Sequence, residues 1–187
     1  MRGSRCLLTA VLLAGLALLT GCGTSAAGAE SRTRPAPSPT RWPASLAGGA
    51  CQLLDFDEVA AAVGTSFDVA AASQSGLTFT CVLEQTGANL PDLALSLTST
   101  QANPGIFTST VTPKGSAPVA DLGKAAYAAS VPAGAGAGPG VEVGWLSGHQ
   151  RIITLRLRTR AGTAQAEADA LRPKLIDLAR QIDMTTV

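Results

Sequence analysis

Two runs of alternating apolar residues, Val141-Glu142-Val143-Gly144-Trp145-Leu146 and Ile152-Ile153-Thr154-Leu155-Arg156-Leu157-Arg158, flank the turn formers Ser147-Gly148-His149-Gln150. Alternation with a period of two sends one side-chain set to a core and the other to solvent, and two such runs around a short polar turn fold as an antiparallel hairpin. With Ser147 opposite Arg151, Trp145 faces Ile153, Val143 faces Leu155 and Glu142 faces Arg156, so every inner position is apolar. The outer face then carries Arg156, Arg158 and Arg160 as a short basic row. Such a row is a candidate surface for an anionic headgroup, a wall polymer or a partner protein. It also reads as a plain solvated strand face partly neutralised by Glu142. His149, the single histidine, sits at the turn tip with no positioned partner to make it a base.

The rest of the chain supplies elements to pack on that hairpin. Leu77-Thr78-Phe79-Thr80-Cys81-Val82-Leu83 alternates, with Leu77, Phe79, Cys81 and Leu83 on one face, and Leu93, Leu95 and Leu97 mark a second strand beyond a turn at 86–89. Asn103-Pro104-Gly105 reads as a turn, 111–119 as an exposed, Pro-interrupted connection, and 125–131 as a short strand of small residues. Ala133 to Gly140 reads as a flexible connection. It lacks the strand-before, helix-after setting of a phosphate loop and has no Lys in a Walker position.

Two helices complete the set. Asp55 stands three residues before Glu58 as a helix cap, with a short helix to Val63 ended by Gly64. Asp55, Asp57 and Glu58 therefore complement a helix N-terminus and form no metal or catalytic cluster. From a cap at Thr163 to Asp183, Ala164, Ala168, Leu171, Leu175, Leu178 and Ile182 recur at helical spacing, and Pro173 imposes a kink or restart. The expected fold is α+β: a curved antiparallel sheet of five or six strands packed with a short N-terminal and a long C-terminal helix.

The N-terminus carries a different message. Arg2 and Arg5 precede the apolar run Leu7–Leu19, which ends in Leu19-Thr20-Gly21-Cys22 and turns small and polar. The run falls short of the ~20 apolar residues of a membrane span and has the layout of a signal peptide, residues 1–21. Leu19-Thr20-Gly21-Cys22 looks like a bacterial lipobox, in which the Cys22 sulfur receives a diacylglycerol and becomes the first residue after cleavage. Removal of the signal leaves 12 basic and 13 acidic side chains. That balance gives no basic excess for nucleic acid. Residues 22–50 are rich in Ala, Gly, Ser and Pro and cannot bury a core. As a coil this tether spans roughly 30 Å. Trp42, its one aromatic, is available to pack against the domain.

Once Cys6 is removed with the signal and Cys22 is lipidated, Cys51 and Cys81 are the remaining thiols. Outside the cytoplasm they pair, closing a loop of about 31 residues worth roughly 3 to 4 kcal/mol in the chain-entropy model. With a single His there is no set of ligands for a metal, and no cofactor is expected. Residues 51–187 form one globular extracytoplasmic domain in this reading.

A lipobox, a Pro/Ser linker, and Cys51-Gln52-Leu53-Leu54 opening an Ala-rich helix that ends in Gly64, with Cys81 further on, form a recognisable order. It resembles a family of secreted actinobacterial lipoproteins built on a domain of unknown function. More distantly the pattern is similar to PsbP-like sandwiches and to the sensor domains of some mycobacterial receptor kinases. The resemblance implies a cell-envelope binding or accessory domain without assigned catalytic residues; the positions that match are Cys22, Cys51 and Cys81.

The expected activity is non-catalytic binding of a small or lipidic ligand in a cleft between sheet and helix, on a domain held to the membrane through Cys22. The alternative is an accessory protein that docks an envelope transporter or enzyme. An enzyme ranks last, because the sequence shows no Ser/His/Asp order, no metal ligand set and no carboxylate pair outside a helix cap.

Overall fold

The computed structural model describes residues 41–185; the signal segment 1–21, Cys22 and the linker up to residue 40 lie outside the described residues. The alternating segments assemble into a seven-stranded sheet in the order β1-β2-β3-β7-β6-β5-β4. These strands are β1 Val69–Ser75, β2 Thr78–Gln85, β3 Ala88–Ser99, β4 Ala117–Pro118, β5 Ala125–Val131, β6 Ala137–Leu146 and β7 Arg151–Arg160. All neighbours are antiparallel.

The β6–β7 hairpin has the register its sequence dictates: Trp145 pairs with Ile153, Val143 with Leu155 and Glu142 with Arg156. The Ser147 amide donates to the Arg151 carbonyl at 2.9 Å and closes the turn.

The class is α+β as expected, with two strands more than the clear alternation signals. β1 reads Val-Ala-Ala-Ala-Ser-Gln-Ser and lies at an edge, exposed along nearly its whole length, so selection for a buried face leaves no pattern to read. β4 is two residues at the other edge, where Pro118 is tolerated because one side of an edge strand needs no donor.

One face of the sheet is covered by α1 Phe56–Val63 and α4 Arg172–Thr185, which contact each other. Val59, Val63, Leu175, Leu178 and Ile182 from these helices meet Leu83, Leu93, Leu95, Val143, Trp145, Ile153 and Leu155 from the strands in one buried core. At roughly 1.5 to 3 kcal/mol per large buried side chain, this stripe holds the helices on the sheet. Asp55 caps α1 by accepting from the amides of Asp57 at 2.8 Å and Glu58 at 3.1 Å, and Gly64 ends it in the left-handed conformation at φ 77°. The Trp145 indole donates to Asp183 Oδ1 at 2.9 Å, tying the end of α4 to the sheet centre.

The C-terminal helix restarts. α3 Gln165–Asp169 is separated from α4, and Pro173 falls in the first turn of α4, where its missing N–H has no intrahelical partner to lose. The N-cap position of α3 is Ala164, with no side-chain cap; Thr163 does not cap it.

The Gly-rich run is also different from expectation. Ala137–Gly140 is buried strand, and Gly138 and Gly140 press so closely on β7 that an added Cβ would overlap the carbonyl oxygens of Arg160 and Leu157. Close approach of two backbones, and not flexibility, accounts for glycine there.

Residues 101–119 hold more than an exposed connection. Asn103 Oδ1 accepts from the Ile106 amide at 2.9 Å and starts α2 Pro104–Ile106, which continues as a π-helical turn over Phe107–Val111. Phe107 lies buried against Tyr127, with ring centroids 5.9 Å apart, and both pack on Leu146. This small second cluster covers one corner of the sheet face opposite α1 and α4.

Packing also reaches further back than Cys51. Two 3-10 turns, Ala44–Ala47 and Gly49–Leu53, bury Ala44 and Ala50 in the main core, while Trp42 stays 72% exposed. Arg41 donates to the Phe67 carbonyl at 3.1 Å and stacks on Phe56, its guanidinium carbon 4.7 Å from the ring centroid. Among the described residues, no helix is long and apolar enough to cross a membrane.

Candidate functional site

The Cys51–Cys81 disulfide forms as expected, and it fixes the Gly49–Leu53 turn across the inner face of β2. Both cysteines are fully buried. A disulfide of this kind belongs to an oxidising, extracytoplasmic setting. Beyond it, toward the β1–β2 turn, the helical layer stops and the inner face of the sheet is uncovered. Of the residues expected on that face, Cys81 and Leu83 are buried, whereas Phe79 is 39% exposed and Leu77 lies outside the strand and is exposed.

The gap is a cleft of about 290 Å³. Ala50, Leu53, Phe79 and Leu97 give it apolar walls; Gln52, Ser99 and Arg151 give it a polar rim. Strand register sets this division. Phe79 and Leu97 face each other across β2 and β3, and two residues further along β3 Ser99 faces Arg151 at the start of β7. Arg151 is exposed, and no carboxylate among the described residues forms an ion pair with it. The cleft thus combines an apolar interior with one unneutralised cation at its edge. A larger hollow of about 500 Å³, bordered by Gly64, Gln85, Thr159 and Arg160, is more open and more polar. The smaller cleft is the better binding geometry, because apolar enclosure with a few polar groups at the rim is what retains a small ligand.

The three arginines of the basic row differ in their surroundings. Arg158 Nε donates to Asp92 Oδ1 at 3.0 Å and Oδ2 at 3.2 Å, its Nη2 also donates to Oδ2, and Asp92 is only 3% exposed. Asp92 holds the Arg158 guanidinium firmly in its charged form. Arg160 donates to the Leu90 carbonyl at 3.0 Å and to Gln85 Oε1 at 2.6 Å. Arg156 is exposed, and among the described residues no ion pair engages it. Two of the three arginines are therefore spent on the fold.

Asp92 and Arg151 were not singled out by the pattern of the chain. Asp92 becomes meaningful only once β3 is known to lie beside β7, which pairs residues some two-thirds of a hundred positions apart at Asp92 and Arg158. Arg151 sits next to the expected turn and carried a signal in one respect: it is the first residue of a strand whose opposite number in the hairpin, Ser147, is already polar.

Two further polar groups are tuned by neighbours. Burial first, and then the hydrogen bond and charge of Glu142, push the Tyr127 phenol far above its ordinary range; its hydroxyl donates to Glu142 Oε1 at 2.8 Å. The Ser130 hydroxyl, donating at 2.6 Å, is the main cause holding the Asp169 carboxyl below its ordinary value, with Gln165 and Arg172 adding to it. Among the described residues, no three His, Cys, Asp or Glu side chains gather where they could hold a metal ion. The candidate lipidation site, Cys22, lies outside the described residues.

No family model, no curated protein and no solved structure matches the chain. What stands is a disulfide-bearing α+β domain with an antiparallel sheet.

Proposed function

We propose that this chain is a lipid-anchored protein of the cell envelope, held by Cys22 on the extracytoplasmic face, whose domain binds a small amphipathic anion without transforming it. The observation that carries the reading is the cleft whose apolar walls, Leu53, Phe79 and Leu97, end at the unpaired guanidinium of Arg151. An aliphatic chain fits walls of that kind, gaining roughly 0.8 kcal/mol for each buried CH₂, and a carboxylate or phosphate suits the arginine. The resemblance to secreted actinobacterial lipoproteins of unknown function, and to receptor-kinase sensor domains, supports the same setting.

Titration with a medium-chain carboxylate such as decanoate, followed by calorimetry, tests the reading. Saturable binding is expected, weaker by about tenfold or more in Arg151→Gln and for a decyltrimethylammonium salt, because each removes one charge-assisted contact. Equal binding of the cationic and anionic chains would overturn it. The second reading, a docking accessory for an envelope transporter or enzyme, draws on the exposed Trp42, Leu46 and Leu77. That reading expects a protein partner and no bound small molecule.

A further inference from the structure

The sheet face opposite α1 and α4 carries a further hollow, independent of the cleft. It measures about 210 Å³ and is lined by Ala94, Ser96, Glu142, Thr154 and Arg156. Register explains why it is there. Glu142, Arg156 and Ala94 form one row across β6, β7 and β3, and Gly144, Thr154 and Ser96 form the next. The small side chains of Ala94 and Ser96 leave the floor low, and Glu142 and Arg156 rise beside it.

Glu142 and Arg156 are direct cross-strand neighbours of opposite charge, a position in which side chains normally close on each other. Here no ion pair joins them. Glu142 is instead drawn to the other side, accepting from Tyr127 at 2.8 Å. Tyr127 is itself fixed: it is buried, it packs on Phe107, and a Cβ on Gly144 would lie 2.5 Å from its ring. The result is an anion and a cation on adjacent strands that do not pair with each other, with the hydroxyls of Ser96 and Thr154 in the row beside them.

We infer that this hollow binds a small α-amino acid as its zwitterion, the carboxylate on Arg156 and the ammonium on Glu142. Such a ligand carries both charges on one Cα, so it can meet two oppositely charged side chains that stand at directly facing strand positions. The protein charges cancel, so an ion of either single sign gains one partner and meets a repelling one. The hydroxyl-lined floor suits a short polar side chain.

The test uses the protein purified in detergent from its own host, titrated with L-serine, L-lactate and ethanolamine. Lactate lacks the ammonium and ethanolamine lacks the carboxylate. Saturable L-serine binding is expected, with each half-analogue weaker by about tenfold or more, the loss of one charge-assisted hydrogen bond. Arg156→Gln and Glu142→Gln should each weaken L-serine by a similar factor, with unchanged melting temperature showing that the exposed-face variants remain folded. In amide-resolved NMR, L-serine should shift Ser96 and Thr154. Absence of saturable binding, lactate binding as well as serine, or serine binding indifferent to Arg156→Gln would each overturn the inference. Because decanoate and the cleft play no part, failure here leaves the proposed function standing, and the reverse holds.

Discussion

Arg158 and Asp92 lie opposite each other on β7 and β3, and the guanidinium grips both oxygens of a carboxylate that is almost wholly buried. A buried charge without its partner is strongly destabilising, while the pair replaced together by apolar groups is close to neutral. The arginine end is one-third exposed, so water relieves part of the loss. Arg158→Ala should therefore cost about 2 to 3 kcal/mol in chemical denaturation. The double variant Asp92→Leu with Arg158→Leu should recover most of it. A single variant as stable as the parent would contradict the assignment of Arg158 to the fold.

Gly140 sets how closely β6 can approach β7. Its Cβ position is occupied by backbone of Leu157, which cannot rotate away as a side chain could. Gly140→Ala should cost about 2 to 3 kcal/mol, whereas Gly134→Ala, in open space, should change stability little. Equal melting temperatures for the two variants would show that the strands part easily there.

The Cys51–Cys81 bond spans 30 positions of chain. Cys51→Ala with Cys81→Ala should lower stability by about 3 to 4 kcal/mol, chiefly by freeing the unfolded chain. The same double variant should weaken ligand binding in the cleft, because the bond fixes the Gly49–Leu53 turn that forms one wall. Binding that survives unchanged at a temperature where the variant is folded would separate the wall from the bond.

Asp169 links pH to the hydrogen bond that ties α3 to β5. Its carboxyl titrates below the ordinary carboxylate range, chiefly through the Ser130 hydroxyl. A depressed folded value means that this contribution is present in full above the ordinary range and is lost as pH falls through the depressed one. Ser130→Ala should raise the Asp169 midpoint in an NMR titration and flatten the acid limb of the stability curve. An unmoved midpoint would assign the shift to Arg172 and Gln165 alone.

Cys22 carries the proposal about location. Cys22→Ala should move the protein from the membrane fraction to the medium, since two acyl chains hold a protein stably and no other anchor is proposed. Firm retention of the variant on membranes would contradict the lipobox reading.

What the sequence disclosed followed from the physics of each segment. Trp145 and Ile153 were legible as a pair because alternation and a four-residue turn leave one register that buries every apolar side chain. The Asp55 cap and the Gly64 stop are local, and local rules found them. β1 was silent because an exposed edge strand of Ala and Ser obeys no pattern. Asn103-Pro104 fits a helix start as well as a turn, and only Phe107 docking on Tyr127 decides between them. The cleft was hidden for another reason: Phe79 belongs to an alternating apolar face, and nothing in the chain says that the covering layer stops short of it. The arginine row shows the same limit, since Asp92 and Gln85 reach Arg158 and Arg160 from strands distant in sequence.

Native mass spectrometry of the protein purified from its host tests the central claim, the occupied cleft, most directly. The expected result is a reproducible added mass of an amphipathic anion beyond the Cys22-lipidated chain, itself lighter by two hydrogens for the Cys51–Cys81 bond, with that added mass lost in Arg151→Gln. The mass of the lipidated chain alone in every preparation, with a protein partner recovered in its place, would contradict it.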